Sequence, residues 1–505
     1  MTAPALIAAR SRTLAGWAPL LPLLAILLLT VVVYSPSLDD WFIYHDYVHL
    51  GAAAAHSAGD FAKRVLDPAD GGESLFGTGK LYRPVYYLTL LAEERAFGLG
   101  DSFPYHLVNL SLHLLNITLV WAIARKLTHS LLAGYVAAAV YGLHPVYYDA
   151  PAWISAITEL LLATFSLSAL YMLIRSLEER GALSGLFYLG SLVSAALALG
   201  SREPGASLFL VLPAYYFLVH APRDWLHPRA WLRFVPFFAV LGAYGLLRLS
   251  VLQGVGSGHP ADGTGSLGWH IFPNIFSFNR MALLPIFTDR GPWMPTLALL
   301  APIVLMRAHE HFFSRGGGAG RFVVVWWYLV VFVYATADWL AVLPAWRYLY
   351  VPSAAFAILC GMFIVWLGNG LPLLWLKAVP WARPSLVSLV RAAVPAGVFL
   401  AVVPLLAWGT LYHQRDTTAL ARDSKALLTQ LRETYPSLPE GSTLYVVNAP
   451  GAFLIDGNDW FLSPAVYWYY RDVAVRLVGQ DELGRVQGSM SDRDRILFFA
   501  NQTSD

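Results

Sequence analysis

Nine consecutive residues, Asp39-Asp40-Trp41-Phe42-Ile43-Tyr44-His45-Asp46-Tyr47, set three carboxylates and one histidine among four large aromatic side chains. Aromatic neighbours desolvate a carboxylate and raise its pKa toward values useful to a general base. Asp46, among Trp41, Phe42, Tyr44 and Tyr47, is the residue so placed. Asp39 and Asp40 read as solvated charges at a membrane-exit turn, and Asp60, Asp67 and Asp70 as solvated loop charges. His45, His49 and His144 are metal-capable types, but no tight His-x-x-x-His spacing with a carboxylate accompanies them. They read as loop or interfacial histidines, and no metal site is assigned.

Other groups able to hold an anion or move a proton stand at the ends of apolar stretches. They are Tyr82 and Arg83, His144 and Asp149, Arg202 and Glu203, Arg248, Asp338, and Arg347 with Tyr348 and Tyr350. Glu159 lies inside such a stretch, where an unpaired charge is costly, so it is expected to be paired or functional. Arg347, between Trp346 and Tyr348, offers a fork of donors to a phosphate, or else anchors the chain at a membrane interface. The glycine-rich segment Gly254 to Gly268 lacks the Lys and the strand-to-helix setting of a phosphate loop and reads as an outward loop.

The elements that must position these groups are membrane spans. The chain has 505 residues, 57% of them hydrophobic and 13% charged, with a mean hydropathy of +0.54. That apolar surface exceeds what a soluble core can hide, so the chain is expected to cross the membrane many times. A net charge of +2 argues against a nucleic-acid partner, and the single Cys360 excludes an intrachain disulfide.

Apolar runs begin with Leu14–Tyr34, read as a retained anchor because no small-residue cleavage site follows. They continue near Tyr105–Ala124, Leu131–Val146, Ile154–Ile174, Leu183–Leu199, Ala206–Val219, Phe234–Leu249, Trp293–Met306, Phe322–Tyr334, Tyr348–Leu367 and Ala392–Leu411. This gives about eleven spans of bilayer-matching length. Lys and Arg stay on the cytoplasmic side. An inside N-terminus places Arg125, Lys126, Arg175, Arg180, Arg223, Arg229, Arg233, Arg307, Arg315, Arg321, Lys377, Arg383 and Arg391 inside. The C-terminus and the Asp46 loop then lie outside, and the polar groups at the span ends converge there if the spans bundle.

Two regions are not spans. Residues 35–100 form a first outward loop, in which Tyr86–Ala92 reads as an interfacial helix. Residues 412–505 form a small extracytoplasmic domain, with an amphipathic helix over Asp416–Glu433 and strands at Ser442–Val447 and Val473–Val478. The domain division expected is therefore 1–411 and 412–505.

In chain order, several motifs then carry a resemblance. They are Asp46-Tyr47, Tyr82-Arg83-Pro84-Val85, Tyr105-His106-Leu107-Val108-Asn109-Leu110 with His113-Leu114-Leu115-Asn116, and His144-Pro145-Val146 through Ala152-Trp153-Ile154-Ser155. Ser201-Arg202-Glu203 and Arg347-Tyr348-Leu349-Tyr350-Val351-Pro352-Ser353 complete the series. Across about residues 35 to 360 the chain resembles the membrane-integral GT-C glycosyltransferases. Within them it is most similar to the protein O-mannosyltransferase-like branch that often carries tetratricopeptide repeats, although its own tail has none.

The resemblance implies a polytopic α-helical GT-C-like bundle with a small extracytoplasmic α/β C-terminal domain. It implies an inverting enzyme that moves a sugar from a polyprenyl-phosphate donor to a hydroxyl acceptor on protein, lipid or glycan, at the outer face of the plasma or inner membrane. Asp46 matches the second carboxylate of the family's Asp-Asp pair and is expected to be the catalytic base, with His45 standing where the first would be. Arg83, His144, Asp149, Glu159, Arg202, Glu203, Arg347 and Tyr348 are the expected substrate-binding residues, and Arg347 the main partner of the leaving phosphate. No cofactor is assigned, a divalent cation being the one compatible with the family pattern. A protein partner could dock through the C-terminal domain. Two other classes stay open: a lipid-linked sugar transporter, motivated by Glu159, and a non-catalytic GT-C-fold subunit, motivated by His45.

Overall fold

Inside a bilayer each backbone N–H and C=O must find its partner within the segment, so apolar runs become helices. The computed structural model describes residues 18–55, 57, 59–60, 82–252, 268–283, 317–336, 346–378, 384–455 and 457–499. Among them, seven helices are long and apolar enough to cross a membrane, and Leu131–Tyr147 and Ser353–Gly368 are shorter apolar helices. The protein is a multi-pass helical membrane protein. The expected span Trp293–Met306, Arg307, Arg315, Asp67, Asp70, Asp338 and residues 254–267 lie outside the described residues. Each other expected span coincides with helical structure over its described residues, residues 14–17 of the first lying outside them.

In chain order the helices are α1 (Leu21–Tyr34), α2 (His45–Ala55), α3 (Pro84–Phe97), α4 (Phe103–Thr128), α5 (Leu131–Leu143), α6 (Ile157–Glu178) and α7 (Gly181–Ser201). Then follow α8 (Leu208–Tyr215), α9 (Val235–Leu252), α10 (Ile271–Leu283), α11 (Gly317–Ala335), α12 (Ser353–Ala378) and α13 (Pro384–Thr434). The helix α3 contains the expected interfacial segment. Small residues set the closest packing: Ala137, Ala138 and Ala139 of α5 are buried. A Cβ on Gly361 of α12 would collide with the Ala133 carbonyl of α5, so these two backbones lie in contact.

The tail differs from expectation in two respects. The helix expected over Asp416–Glu433 is the C-terminal part of α13, which runs unbroken for 51 residues. No Gly or Pro occurs between Leu411 and Thr434, so nothing stops helix propagation. At about 1.5 Å per residue the helix is roughly 75 Å long, more than twice a hydrocarbon core of about 30 Å, so it projects well beyond the membrane. Beyond it, β1 (Thr443–Val447) lies between β2 (Ala474–Val478) and β3 (Arg495–Phe498), parallel to both. The first two strands coincide with the expected ones. β3 is a four-residue edge strand whose pattern was too short to register.

The tail does not stand apart from the first loop. Phe42, Tyr47, Leu50, Tyr86 and Tyr105 share one apolar core with Leu427, Leu431, Leu444, Phe453, Leu462 and Leu497. Trp468 Nε1 donates to the Tyr47 carbonyl at 2.8 Å. The indole fits because residue 51 is glycine: a Cβ there would stand 2.5 Å from Trp468 Nε1. Gly51→Val is therefore expected to expel Trp468 and loosen the tail, costing about 1–3 kcal/mol. Limited proteolysis in detergent should cut the variant's tail faster than that of the parent, and equal rates would show that Trp468 does not hold the tail.

Glu93 of α3 is a second telling position. Its side chain is buried, and neither carboxyl oxygen has a hydrogen-bond partner among the described residues. Burial pushes its pKa from 4.5 to about 8. The folded protein thus keeps a proton that the unfolded chain releases. The stability tied to that proton is full below pH 4.5 and is lost as pH rises through about 8. Glu93→Gln should flatten this dependence and raise the unfolding temperature at alkaline pH, leaving it nearly unchanged at mildly acidic pH.

Candidate active site

The turn into α2 shapes the first part of the site. Tyr44 takes the left-handed conformation at φ 50°, which is uncommon for a bulky residue, and folds Ile43 back over the helix start. The Ile43 N–H then donates to Asp46 Oδ2 at 3.0 Å. Asp46 Oδ1 accepts from the Ser155 N–H at 2.8 Å and from Ser155 Oγ at 2.5 Å. The carboxyl, 1% exposed, pins the first loop to the segment Trp153-Ile154-Ser155 just before α6. Burial pushes its pKa up to about 7, against hydrogen bonds from Ile43 and Ser155 that favour the charged form. Asp46 therefore titrates near neutrality, where a general base is most effective.

The arginines gather at the same end of the bundle. Glu159, fully buried in the first turn of α6, is ion-paired with Arg202, which follows α7. The hydroxyl of Tyr334, from α11, donates to Glu159 Oε2 at 2.6 Å. Glu203 binds two cations: Arg83 Nη2 at 2.8 Å, just before α3, and Arg248 Nη1 at 3.1 Å, near the end of α9. Burial pushes the Glu203 carboxyl up, but Arg83 and Arg248 outweigh it and hold the group down at about 2.

Tyr348 joins the two halves, with the Arg202 guanidinium 4.3 Å and the Arg347 guanidinium 5.0 Å from its ring centroid. Arg347 also lies 4.8 Å from the Trp153 ring and 4.0 Å from Asp149 Oδ2. Burial pushes Asp149 up to about 6, with Arg347 pulling it down. Its Oδ1 is buried and has no hydrogen-bond partner among the described residues.

Of the expected site residues, the fold brings together Arg83, Asp149, Glu159, Arg202, Glu203, Arg347 and Tyr348. Asp46 adjoins them through Trp153 and Ser155. His144 is placed differently. Its Nε2 donates to the Ala282 carbonyl at 3.1 Å and its Nδ1 accepts from the Val146 N–H at 3.3 Å, so both ring nitrogens are used by backbone. His49 Nδ1 shares a 2.5 Å hydrogen bond with Tyr86 Oη, and burial, with His45 and Arg83 nearby, pushes its pKa far down. The His45 ring lies 4.9 Å from Phe461 and 5.5 Å from His49.

Asp40 corrects the reading of a solvated charge: it is buried, and Thr418 of α13 donates to its Oδ2 at 3.1 Å. Ser102 and His106 bond its carbonyl, so α4 and α13 together cover it. Sequence reasoning missed Tyr334 altogether and Ser155 as a partner of Asp46, although Ser155 stood in a motif already singled out. Among the described residues, no group of three His, Cys, Asp or Glu side chains is placed to hold a metal ion.

The fold thus joins a helical membrane bundle, with buried carboxylates and clustered arginines at one end, to a small α/β tail. Residues 87–243 match the family model described as dolichyl-phosphate-mannose-protein mannosyltransferase. The structure is similar to that of ArnT from Cupriavidus metallidurans bound to undecaprenyl phosphate, with a TM-score of 0.53 and 16% identity over 95% of this chain and 89% of that one. It is also similar to the Archaeoglobus fulgidus oligosaccharyltransferase in the apo form, with a TM-score of 0.54 and 11% identity over 91% of this chain and 64% of that one. Among curated proteins, none matches in sequence. The likeness to these two structures is one of fold, and the family match covers residues 87–243.

The Glu159–Arg202 pair has a direct test. Glu159→Leu would leave Arg202 buried and uncompensated, at a cost of about 3–5 kcal/mol. Thermal unfolding in detergent should show a large loss for Glu159→Leu and a smaller one for Glu159→Leu combined with Arg202→Met. A double variant no better than the single would show that the two charges are not coupled.

Proposed function

We propose that the protein transfers a sugar from a polyprenyl-phosphate donor to a hydroxyl acceptor, with inversion, on the membrane face where the arginines gather. The observation that carries this reading is a surplus of cations beside carboxyls that titrate near neutrality. Four arginines, Arg83, Arg202, Arg248 and Arg347, stand against three carboxylates, Glu159, Glu203 and Asp149, and the fourth acid, Asp46, becomes neutral as it takes the acceptor proton, which leaves one positive charge in excess.

The acceptor oxygen attacks the anomeric carbon, Asp46 takes the hydroxyl proton, and the bond from that carbon to the phosphate oxygen breaks. The donor phosphodiester, with one negative charge, leaves as a monoester with about two. The added charge needs fixed donors, and a net positive cluster supplies them. Arg347 is the foremost of these, because its Asp149 partner is 4.0 Å away and grips it loosely. Arg83 and Arg202 assist from closer ion pairs, and Glu159 and Glu203 hold those arginines in place. Aromatic side chains around Tyr44 and Trp153 offer surfaces for sugar stacking. His144 acts through the backbone it fixes.

In this reading residues 1–411 form the membrane part and residues 412–505 the extracytoplasmic part, with the N-terminus cytoplasmic, in a plasma or inner membrane. A cleft of about 560 Å³ on the tail, lined by Thr429, Arg432, Glu433, Pro436, Tyr469 and Tyr470, is the surface offered to a protein partner. The free Oδ1 of Asp149 favours one second reading, in which Asp149 rather than Asp46 is the base.

Transfer of a radiolabelled sugar from a polyprenyl-phosphate donor separates the two. Asp46→Asn should lose roughly 10²- to 10⁴-fold in rate, as expected for loss of a general base, while donor binding persists. Asp149→Asn should lose less, and the reverse order assigns the base to Asp149. Since the base must be ionised, the wild-type rate should rise with pH through about 7. Ser155→Ala removes a donor to the charged form and should move that limb to higher pH. Full activity in both Asn variants would overturn the site.

A further inference from the structure

The other end of the bundle carries a second basic site. After α8 the chain passes through a π-turn, Tyr216–His220, short helical turns at Asp224–Leu226 and Pro228–Trp231, and a 3-10 turn at Leu232–Phe234, before α9 begins. Helix α8 leads away from Glu203 and α9 returns to place Arg248 on Glu203. The connection therefore lies at the end opposite the arginine cluster.

Its backbone is tightly built: Ala221 N bonds Tyr216 O at 2.8 Å, Asp224 N bonds Ala221 O at 3.0 Å and His227 N bonds Asp224 O at 2.9 Å. Trp231 Nε1 donates to the Trp225 carbonyl at 3.1 Å, and Tyr188 Oη donates to the Arg233 carbonyl at 2.5 Å. Beside these bonds lies an open depression of about 560 Å³ lined by Tyr216, Asp224, His227, Pro228, Arg229 and Ala230. That volume suits a small polar ligand.

Charge and apolar surface then identify the ligand's chemistry. The connection carries Arg223, Arg229 and Arg233, with His220 and His227, against one carboxylate, Asp224, and of these Arg229, His227 and Asp224 line the depression. The Arg233 guanidinium lies 5.2 Å from the Tyr216 ring, which brings a cation to the wall of the depression. Around the depression Trp225, Leu226, Trp231 and Leu232 are 58, 68, 41 and 65% exposed. Such a collar lies at the boundary of headgroups and acyl chains, with arginines at the level of lipid phosphates.

We propose that this depression binds the phosphate headgroup of an anionic phospholipid in the leaflet opposite the arginine cluster. Interfacial anchoring alone accounts for exposed tryptophans and arginines, but it does not require a depression that sets Arg229 and His227 together in its lining. The assignment does not depend on the sugar-transfer reading.

Native mass spectrometry of the full chain in detergent, titrated with phosphatidylglycerol or phosphatidylcholine, tests it. Phosphatidylglycerol should be retained preferentially, and Arg229→Gln should weaken retention about fivefold, as for one surface cation. Ala230→Trp fills the depression and leaves every charge in place, and should also abolish the preference. Unchanged unfolding temperatures would show that the variants are folded. Equal retention of the two lipids, or undiminished preference in Ala230→Trp, would overturn the proposal. So would complete displacement of the lipid by millimolar inorganic phosphate, because the site would then recognise free phosphate.

Discussion

The cost of leaving a charge uncompensated in a low dielectric decides how the helices meet at one end of the bundle. Glu159 has no exposure in the first turn of α6, and such a group is tolerated only when paired and hydrogen-bonded. Arg202 and the Tyr334 hydroxyl satisfy it, so the start of α6, the end of α7 and α11 are held to one another. Glu203 repeats the solution one residue on, gathering Arg83 and Arg248 from segments far away in sequence. Tyr348 lies against both Arg202 and Arg347, which joins the Glu159 pair to Asp149. A purely structural network would tend toward charge balance. This one keeps a surplus of arginine, and with Asp149 titrating near 6 the surplus grows as pH falls.

Local chemistry was the part legible in the sequence. Apolar runs located the helices because a bilayer leaves few other structures available. The polar residues at their ends were visible because they interrupt those runs, and their meeting at one end follows from alternating topology. What stayed hidden rests on contacts between distant segments. Asp40 looks like a wet loop charge until α4 and α13 are seen to close over it. Glu93 looks like the polar face of an interfacial helix, yet it is buried against the shared core beside Tyr105. Tyr334 lies in a run of aromatic and β-branched residues that gives no sign of a buried acid 175 positions earlier. His144 stood in a matching motif, but only the fold reveals that both its ring nitrogens are taken by backbone.

The position of Asp46 depends on two bodies at once. From the bundle, Ser155 grips Oδ1 through two donors. From the tail helix, Ser424 Oγ donates to the Phe42 carbonyl at 2.8 Å and lies 2.5 Å from Tyr47 Oη, which also donates to that carbonyl at 2.9 Å. Trp468 and Phe461 then pack against Phe42, Tyr44 and His45. The aromatic neighbours that desolvate this region thus come from the first loop, from Trp153 just before α6 and from the tail. A pKa near 7 for Asp46 is consequently a property of the assembled molecule. The nine-residue stretch alone, with its backbone open to water, would leave the same carboxyl close to its ordinary value. The tail's docking is therefore part of the chemistry of Asp46, although among the described residues no tail side chain bonds that carboxyl directly.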